Sequence, residues 1–467
     1  DHRQIEKCGF SNAFNLEEIT LPSTLKSIGE YGFDNAGIKT LIIPDSVEII
    51  ENYAFAWSDL ENITIGKGLS SIGEGVFEGT SIQTIHIPNN ITTIERNAFC
   101  FSLIQTLTIP DNVKNIGEYA FSGCDKLNNV TFGEGLKVIT RGSFNSCERL
   151  SKVVFENKSV TVEDWAFSAC PIEEINMENV AEFGAYSFTG SKLKSLSVPE
   201  GVTKIAYAAL LNSSNLAEID VPETLISLGG HSFDDTAWRE AQAAGSVYLE
   251  HIFCTYDGII GDDTEFTFKE GTTVIADNAF EGQDSMKKII LPNGLLSIGS
   301  VAFWKCANLR EITIPASVEY IGEFAFGQCP NLTAINVAPD NQHYRSVDGV
   351  LFSKDGKELI WCPKQTSKSY SVPESVAVIK TGAFGESGEI NISIKNRDTE
   401  FEYGAIGYQC TGHTGVIETF FKRVYSAISC YEKSTAYEYA KEKAIPVTIL
   451  EEKAVIEEFD KNTFEEH

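Results

Sequence analysis

The chain has 467 residues, enough for about three ordinary domains, and its 42% hydrophobic and 22% charged residues are typical of folded globular proteins. Its 37 basic and 66 acidic residues give a net charge of −29, so its surface repels nucleic-acid phosphates and anionic lipid headgroups. Because no run of about eighteen or more apolar residues occurs, we predict no membrane-spanning segment and no nucleic-acid partner.

An internal repeat overrides the estimate of three domains. The phrase Ile116-Gly117-Glu118-Tyr119-Ala120-Phe121 recurs along nearly the whole chain, mostly at a spacing of 22 or 23 residues. A fixed period of this length indicates coils that bury their apolar side chains against neighbouring coils, which is a solenoid. The repeat is centred on a phenylalanine, which we call the pivot. The pivots are Phe10, Phe33, Phe55, Phe77, Phe99, Phe121, Phe144, Phe167, Phe188, Phe233, Phe280, Phe303, Phe326 and Phe384, with Leu210 in the same position between Phe188 and Phe233.

Each repeat contains one clear strand pattern. Val130, Thr131 and Phe132 alternate inward, outward and inward, which is the period of a β-strand. A proline follows many of these triplets, as Pro110 does, and it ends the strand and turns the corner of the coil. Stacked on one another, these strands predict a β-rich solenoid: a right-handed coil stack with one long parallel sheet.

The segment between the corner and the pivot is less regular. Two apolar residues three apart, such as Val113 and Ile116, predict a second short strand mixed with a loose helical turn. A glycine directly follows the second apolar residue in many repeats, which predicts a positive φ or a crowded corner there. These glycines are Gly29, Gly73, Gly117, Gly299 and Gly322.

Two breaks in the register predict inserts at about residues 239–265 and 340–369. The pivots on either side are 47 and 58 residues apart. In the second insert, residues 350–352 and 359–361 flank Asp355-Gly356, a dipeptide typical of a hairpin turn. Residues 256–260 are similar to residues 347–351, so we expect two related β-hairpins that decorate the solenoid locally.

The ends of the repeat set the domain boundaries. The chain begins inside a repeat, because residues 5–10 match its second half, and we expect a leader or cap upstream of residue 1. A C-terminal cap is predicted at about residues 407–450. There Thr435-Ala436-Tyr437-Glu438 matches a capping box before a short amphipathic helix at 437–444, Pro446 stops the helix, and 447–449 form a last strand. We therefore predict a single solenoid over residues 1–450 and an acidic tail at 451–467.

The repeat resembles the BspA-like (treponemal-type) leucine-rich repeat family. The pattern IGxxAFxxCxxLxxIxIPxxV is complete from Ile298 through Phe303, Cys306, Leu309 and Pro315 to Val318, and looser copies cover nearly all of residues 5–450. The resemblance implies a bacterial surface or secreted protein, and some members of the family are adhesins. It transfers no binding residue, because the shared positions belong to the core.

No catalytic, cofactor or metal site is predicted. Five of the eleven cysteines follow the pivot by three residues, where burial favours free thiols over disulfides: Cys124, Cys147, Cys170, Cys306 and Cys329. Cys410 and His413 have metal-ligand spacing but form only one pair, and Asp257, Asp262 and Asp263 lack the spacing of a calcium loop. Hydrolase and phosphate-binding motifs are absent, so we predict a protein that is not an enzyme.

Two surface columns are candidate binding sites. The first is the outward strand position, where threonine also simply suits an exposed strand: Thr20, Ile42, Thr64, His86, Thr108 and Thr131. The second is an aromatic column two residues before the pivot, where half-buried packing between coils is an equal explanation: Tyr31, Tyr53, Tyr119, Trp165, Tyr186 and Phe324.

The sequence thus predicts a monomeric, secreted or cell-surface bacterial protein for adhesion or binding. Its partner would be a host or bacterial surface protein or a glycan, held by many weak contacts along the solenoid. Two alternatives remain at this point: a glycan-binding or cell-wall-associated module that uses the aromatic column, and a structural spacer for a domain outside this chain.

Overall fold

The computed structural model describes residues 3–261, 266–406 and 427–450, together with the backbone of 408–413 and 419–423. Within these residues the chain forms the predicted leucine-rich-repeat β-solenoid, with very little helix. Each regular coil has a leading strand, a corner, a return strand and a set of turns around the pivot. The predicted tail at 451–467 lies outside the described residues.

The leading strands contain the predicted in–out triplets. They pair in parallel with their counterparts one coil away, so that Leu107, Val130 and Val153 lie in register across three coils. These strands are Thr40–Ile42, Asn62–Thr64, Thr106–Ile109, Asn129–Phe132, Lys152–Phe155, Glu174–Ile175, Ser195–Ser197, Glu218–Asp220, Glu311–Ile314, Ala334–Val337, Ser369–Val372, Asn391–Ile394, Ala427–Cys430 and Val447–Ile449.

The return strands form a second column and confirm the predicted second strand. They are Gln4–Ile5, Ser27–Ile28, Ile49–Ile50, Ser71–Ile72, Thr93–Ile94, Asn115–Ile116, Val138–Ile139, Val160–Val162, Val180–Phe183, Lys204–Ile205, Ser227–Leu228, Val274–Ile275, Ser297–Ile298, Tyr320–Ile321, Val378–Ile379 and Glu400–Phe401. In both columns the parallel strands form several short sheets instead of one long sheet. The reason is visible at Thr84, where the coil makes only a single bridge to Thr106 and the leading sheet is interrupted.

The turns around the pivot make a third ladder between coils. The amides of Tyr119, Phe121 and Gly123 donate to carbonyls of the next coil, whereas those of Ala120 and Ser122 donate three residues back within the turn. The backbone hydrogen bonds of the predicted loose helical turn therefore alternate between partners within the turn and partners in the next coil. This alternation holds the residues two before and two after the pivot at positive φ in coil after coil.

The fixed glycine of the return segment serves a crowded corner at four of its five predicted positions, all except Gly73, and has a positive φ at none of the five. Gly117, Gly299 and Gly322 do not have positive φ. A Cβ at Gly117 would lie 2.4 Å from the backbone nitrogen of Arg96 in the preceding coil, and the distances at Gly299 and Gly322 are similar. Backbone atoms cannot rotate away, so only glycine fits.

The pivots stack into a phenylalanine spine. From Phe10 to Phe188 successive rings are roughly parallel, and the Phe10–Phe33 and Phe121–Phe144 centroids lie 5.0 and 5.1 Å apart. Leu210 interrupts the spine and is fully buried in the same position. The spine resumes with Phe253 stacked on Phe280 at 4.7 Å. The hydrophobic core accordingly divides into three clusters that meet at the two inserts.

The first insert contains the predicted hairpin, formed by Gly245–Leu249 and Ile252–Asp257. A helical turn, Ala237–Glu240, precedes it and is capped by Thr236. The hairpin is not a peripheral decoration, because Ile252 pairs in parallel with Val274 and so takes the place of a return strand. The predicted equivalence of residues 256–260 with 347–351 is wrong: Asp257 ends a strand, whereas Asp348 and Gly349 form a hairpin turn.

The second insert is a three-stranded meander. Its strands are Tyr344–Val347, Val350–Ser353 and Glu358–Trp361, and the last two form the hairpin predicted from Asp355-Gly356. Glu358 pairs in parallel with Val378, so this insert also continues the return column. Both inserts are therefore differently built coils within the same stack.

The C-terminal segment confirms the predicted helix and final strand, with one correction. The helix is Thr435–Glu442, and Ser434 rather than Thr435 is its N-cap, accepting a hydrogen bond from the Tyr437 amide at 3.2 Å. Glu438 is consequently one position too late to complete a capping box. Before this helix, Tyr408–His413 and Thr419–Arg423 form an antiparallel hairpin.

Candidate binding surfaces

The outward strand positions form one exposed face in the N-terminal half. Of the six predicted residues, Thr20 is exposed but precedes the first leading strand, and Thr131 is half-buried. Ile42 is 67% exposed, although it is a large apolar residue. A second outward residue lies two positions before five of the predicted ones and is exposed beside them. We call these ten positions the strand face: Thr40, Ile42, Asn62, Thr64, Thr84, His86, Thr106, Thr108, Asn129 and Thr131.

The strand face has no acidic or basic side chain apart from the titratable imidazole of His86, in a chain of net charge −29. The same outward positions in the next four coils are charged in four cases, namely Lys152, Glu174, Glu218 and Asp220. Lys152 and Glu174 form an ion pair there at 2.7 Å. An uncharged outward face is thus not a general property of the leading strands, although Ser369, Ser371, Asn391 and Ser393 near the C-terminus are uncharged as well.

The aromatic column lies largely between the coils. Five of its members are half-buried, and Phe324 is only 4% exposed, so the expectation of an exposed column fails for that residue. Tyr31 stacks on Tyr53 at 5.5 Å, and Trp165 stacks on Tyr186 at 5.8 Å. These contacts use ring faces that a ligand would otherwise need.

Positive φ explains why glycine alternates with aromatic residues in this column. Tyr119 has a φ of 57° and its ring covers Gly142 in the next coil, where a Cβ would come within 2.4 Å of the ring. Tyr53 covers Gly75 in the same way. Tyr53 and Tyr119 thus each cover a glycine, whereas Tyr31 and Trp165 each stack on a ring in the coil that follows.

A second row of positive-φ residues lies two positions after nearly every pivot, and it was not among the sequence predictions. Most of its members are small or polar, but Trp57 and Phe101 are 53% and 52% exposed. The sequence does contain an indication, because Trp57, Gly79, Phe101 and Gly123 alternate aromatic and glycine at the repeat spacing. That indication has meaning only when the backbone conformation at this position is known.

The predicted cysteine column is buried and free. Each of its five thiols is at most 1% exposed and donates to the carbonyl of the pivot in the preceding coil, as Cys147 does to Phe121 at 3.2 Å and Cys170 to Phe144 at 3.0 Å. Burial raises the pKa of Cys124 and Cys147 well above the ordinary range of thiols. Such thiols remain protonated at neutral pH and have a structural function.

A small cleft rich in titratable groups lies at the junction with the first insert. It has a volume of about 300 Å³ and is lined by His231, Asp234, Asp277 and Glu281 among others. His231 Nδ1 lies 2.6 Å from Asp234 Oδ2, and this hydrogen bond raises the pKa of His231 and lowers that of Asp234. Cys254 also borders the cleft, but burial raises its pKa to about 12, so it is not a nucleophilic thiolate.

In the portion of the chain that the structure describes, no group of three or more His, Cys, Asp or Glu side chains is placed to hold a metal ion. Asp262, Asp263 and the side chains of Cys410 and His413 lie outside that portion. Among the same described residues, no helix has the length and apolar character that crossing a bilayer requires.

Comparison with known proteins gives a family match. Residues 2–105, 114–239 and 262–354, more than half of the chain, match the BspA type leucine rich repeat region in six copies. No curated protein matches the chain.

Three similar solved structures share little sequence identity with the chain. A leucine-rich repeat protein from Bacteroides ovatus is 18% identical, over 91% of this chain and 88% of that one, with a TM-score of 0.40. The pneumococcal vaccine antigen PcpA is 14% identical, over 94% and 88% of the two chains, with a TM-score of 0.30. A leucine rich cell surface protein from Faecalibacterium prausnitzii is 17% identical, over 79% and 86%, with a TM-score of 0.21.

Proposed function

The chain belongs to the BspA-type leucine-rich repeat family, and from that premise we propose that it is a secreted or cell-surface bacterial protein that binds a macromolecular partner, without catalysis, through its strand face. The partner is a protein of the host or of another bacterial surface. The chain acts as a monomer, and many modest contacts along the coils supply the affinity.

The observation that carries this proposal is the absence of ionic side chains from the strand face. Binding removes water from the centre of an interface, and desolvating a charge is costly unless a matched partner replaces the water. Interface cores are accordingly depleted of charged residues. In a chain with 66 acidic residues, ten neighbouring outward positions without a carboxylate form a surface that is comparatively easy to desolvate.

The chemistry of the strand face also favours a protein partner. Its threonine and asparagine side chains present hydroxyl and amide groups in register, each able to donate and accept hydrogen bonds. Ile42, 67% exposed at the N-terminal edge, adds an apolar contact. The aromatic column offers less support for a glycan module, because its rings already pack against one another or over glycines.

The test begins with the purified chain on an array of host matrix proteins, mucins and bacterial polysaccharides. We expect saturable binding to at least one protein. Thr64→Lys and Thr108→Lys should each weaken it about tenfold or more, because each places an unmatched charge in the interface. Ser197→Lys is the matched control, since it adds the same charge at the same outward position in another block of coils.

Three results would contradict the proposal. Equal effects of Thr108→Lys and Ser197→Lys would mean that net charge, not the strand face, governs binding. Binding to polysaccharides alone, lost in Tyr119→Ala and Trp165→Ala, would identify a glycan module. Silence across the whole array would favour a structural spacer.

A further inference from the structure

Two exposed aromatic rings form a surface that the strand face does not include. Trp57 and Phe101 each follow a pivot by two residues and lie two coils apart. Their ring centroids are 6.1 Å apart, and the ring planes are inclined by 29°. About half of each side chain is exposed, so burial in the core does not explain why two such large rings occupy these positions.

The coil between them is built to let the rings meet. Its residue at the same position is Gly79, and a Cβ there would come within 2.3 Å of the Trp57 indole. Gly123, one coil beyond Phe101, would likewise collide with the Phe101 ring at 2.4 Å. The two rings and the intervening glycine therefore form a continuous apolar platform across three coils.

The platform is held in an unfavourable backbone conformation. Trp57 and Phe101 have φ values of 55° and 60°, a region that bulky residues rarely adopt, whereas Gly79 and Gly123 adopt it freely. Hydrogen bonds between coils impose this conformation at the same position in coil after coil, so it belongs to the fold and not to the platform alone. Glycine would satisfy the fold at both positions, so the aromatic side chains need another explanation.

The turns that carry the platform contain acidic residues. In the five coils with pivots Phe33 to Phe121, the positions one to four residues after the pivot contain four acids and no lysine or arginine: Asp34, Asp59, Glu78 and Asp125. Glu78 directly precedes Gly79 and is half-buried, and its backbone carbonyl accepts the Trp57 amide at 2.6 Å. The negative charge of these turns favours a cation over an anion as the ligand of the platform.

We propose that the Trp57–Phe101 platform binds the cationic side chain of a basic protein segment, a lysine or an arginine. Unlike the half-buried rings of the aromatic column, Trp57 keeps about half of its surface exposed, and the cation lies against that exposed part of the indole, with Glu78 as its counter-charge. The aliphatic stem of the same side chain covers Phe101. This site differs from the strand face in position and in charge, and it does not depend on that face being an interface.

The experiment titrates the whole chain with a short peptide of alternating lysine and glycine and follows binding by calorimetry. Trp57→Gly should weaken binding ~5- to 30-fold, the range expected for the loss of a largely desolvated cation–π contact, and Phe101→Gly should weaken it less. Glycine is the chosen replacement because Gly79 and Gly123 show that the fold accepts it at this position. Phe14→Ala is the matched control, since it removes another exposed phenylalanine, 67% exposed, away from the platform.

A second pair of variants separates the site from general attraction to an acidic protein. Glu78→Gln should weaken peptide binding, whereas Glu61→Gln, an identical loss of charge at an exposed position of another row, should have little effect. Equal losses in these two variants, or in Trp57→Gly and Phe14→Ala, would overturn the proposal. So would a chitin oligosaccharide that binds more tightly than the lysine peptide and is released by Trp57→Gly, because the platform would then be a sugar site.

Discussion

The uninterrupted stack from Phe10 to Phe188 and the insert-bearing region after Phe233 build the same solenoid in different ways. In the uninterrupted stack every coil supplies its own pivot, and the rings continue at a spacing of 5.0 to 5.7 Å. In the insert-bearing region, hairpin inserts replace coils of the regular kind. The spine there depends on Phe253, which comes from a strand and not from a pivot turn.

The difference shows what each kind of coil contributes to stability. A regular coil joins its neighbours through two strand columns and the pivot ladder, and its core side chains belong to one large cluster. At each insert the core passes from one cluster to the next, so fewer apolar contacts connect the coils on either side. In a solenoid, where stability is nearly a sum of nearest-neighbour terms, we infer that these junctions are the weakest interfaces.

The largest effect should come from breaking the spine within the uninterrupted stack. Phe121 is fully buried between Phe99 and Phe144, with centroids at 5.2 and 5.1 Å. Phe121→Ala should lower the free energy of unfolding by about 3–5 kcal/mol, measured by guanidinium unfolding. Phe121→Leu should cost clearly less, because Leu210 already fills the same position. Equal losses in the two variants would show that the slot requires an aromatic ring.

A pH experiment compares the same hydrogen bond in the two regions. Asp164 and Asp277 both precede the pivot by three residues, and each accepts the amide of the equivalent residue in the next coil at 2.7 Å. At the first insert, burial raises the pKa of Asp277 to about 6, despite the opposing hydrogen bond from Ser300. The folded state therefore binds a proton more tightly than the unfolded chain does.

It follows that the Asp277 contribution to the free energy of unfolding is largest at low pH and declines as the pH rises from about 4 to about 6. Asp277→Asn should remove this decline. Compared with the parent protein, the variant should therefore lose less stability, or gain more, between pH 4 and pH 7.5. Thermal unfolding across that range measures it, with Asp164→Asn as the matched variant. The prediction would be contradicted if Asp277→Asn changed the pH dependence of thermal stability no more than Asp164→Asn does.

The sequence also predicts the structure of the uninterrupted stack better than that of the insert-bearing region. Period, pivots, leading strands and buried cysteines follow from repetition alone, because every coil has equivalent neighbours. The register of the inserts did not follow, since Asp257-Gly258 and Asp348-Gly349 look alike but only the second dipeptide forms a turn. Nor could the sequence place the Trp57–Phe101 platform, because the positive φ two residues after the pivot arises from hydrogen bonds between coils.

Thiol labelling should show, without any mutation, in which of the two regions the interfaces between coils open more easily. The three ladder thiols of the uninterrupted stack are Cys124, Cys147 and Cys170, whereas Cys306 and Cys329 lie between the two inserts. Under mildly denaturing conditions we expect the second group to react first, as local opening exposes it. Labelled peptides identified by mass spectrometry give the order. Simultaneous reaction of all five would mean that the whole stack opens as one unit.

The smallest effect concerns the far end, where the last coil is covered by a helix. Ser434 Oγ accepts the Tyr437 amide at 3.2 Å and donates to the Tyr431 carbonyl at 2.7 Å, so the cap joins the helix to the strand before it. Ser434→Ala should cost about 1 kcal/mol, within the usual range for an N-cap, while Ser434→Asp should retain the cap. Hydrogen exchange should show the loss at residues 435–442 and not near Phe121, because coupling in a stack of coils falls off with distance. If exchange accelerated along the whole chain instead, the junctions at the inserts would not be the weak interfaces inferred above.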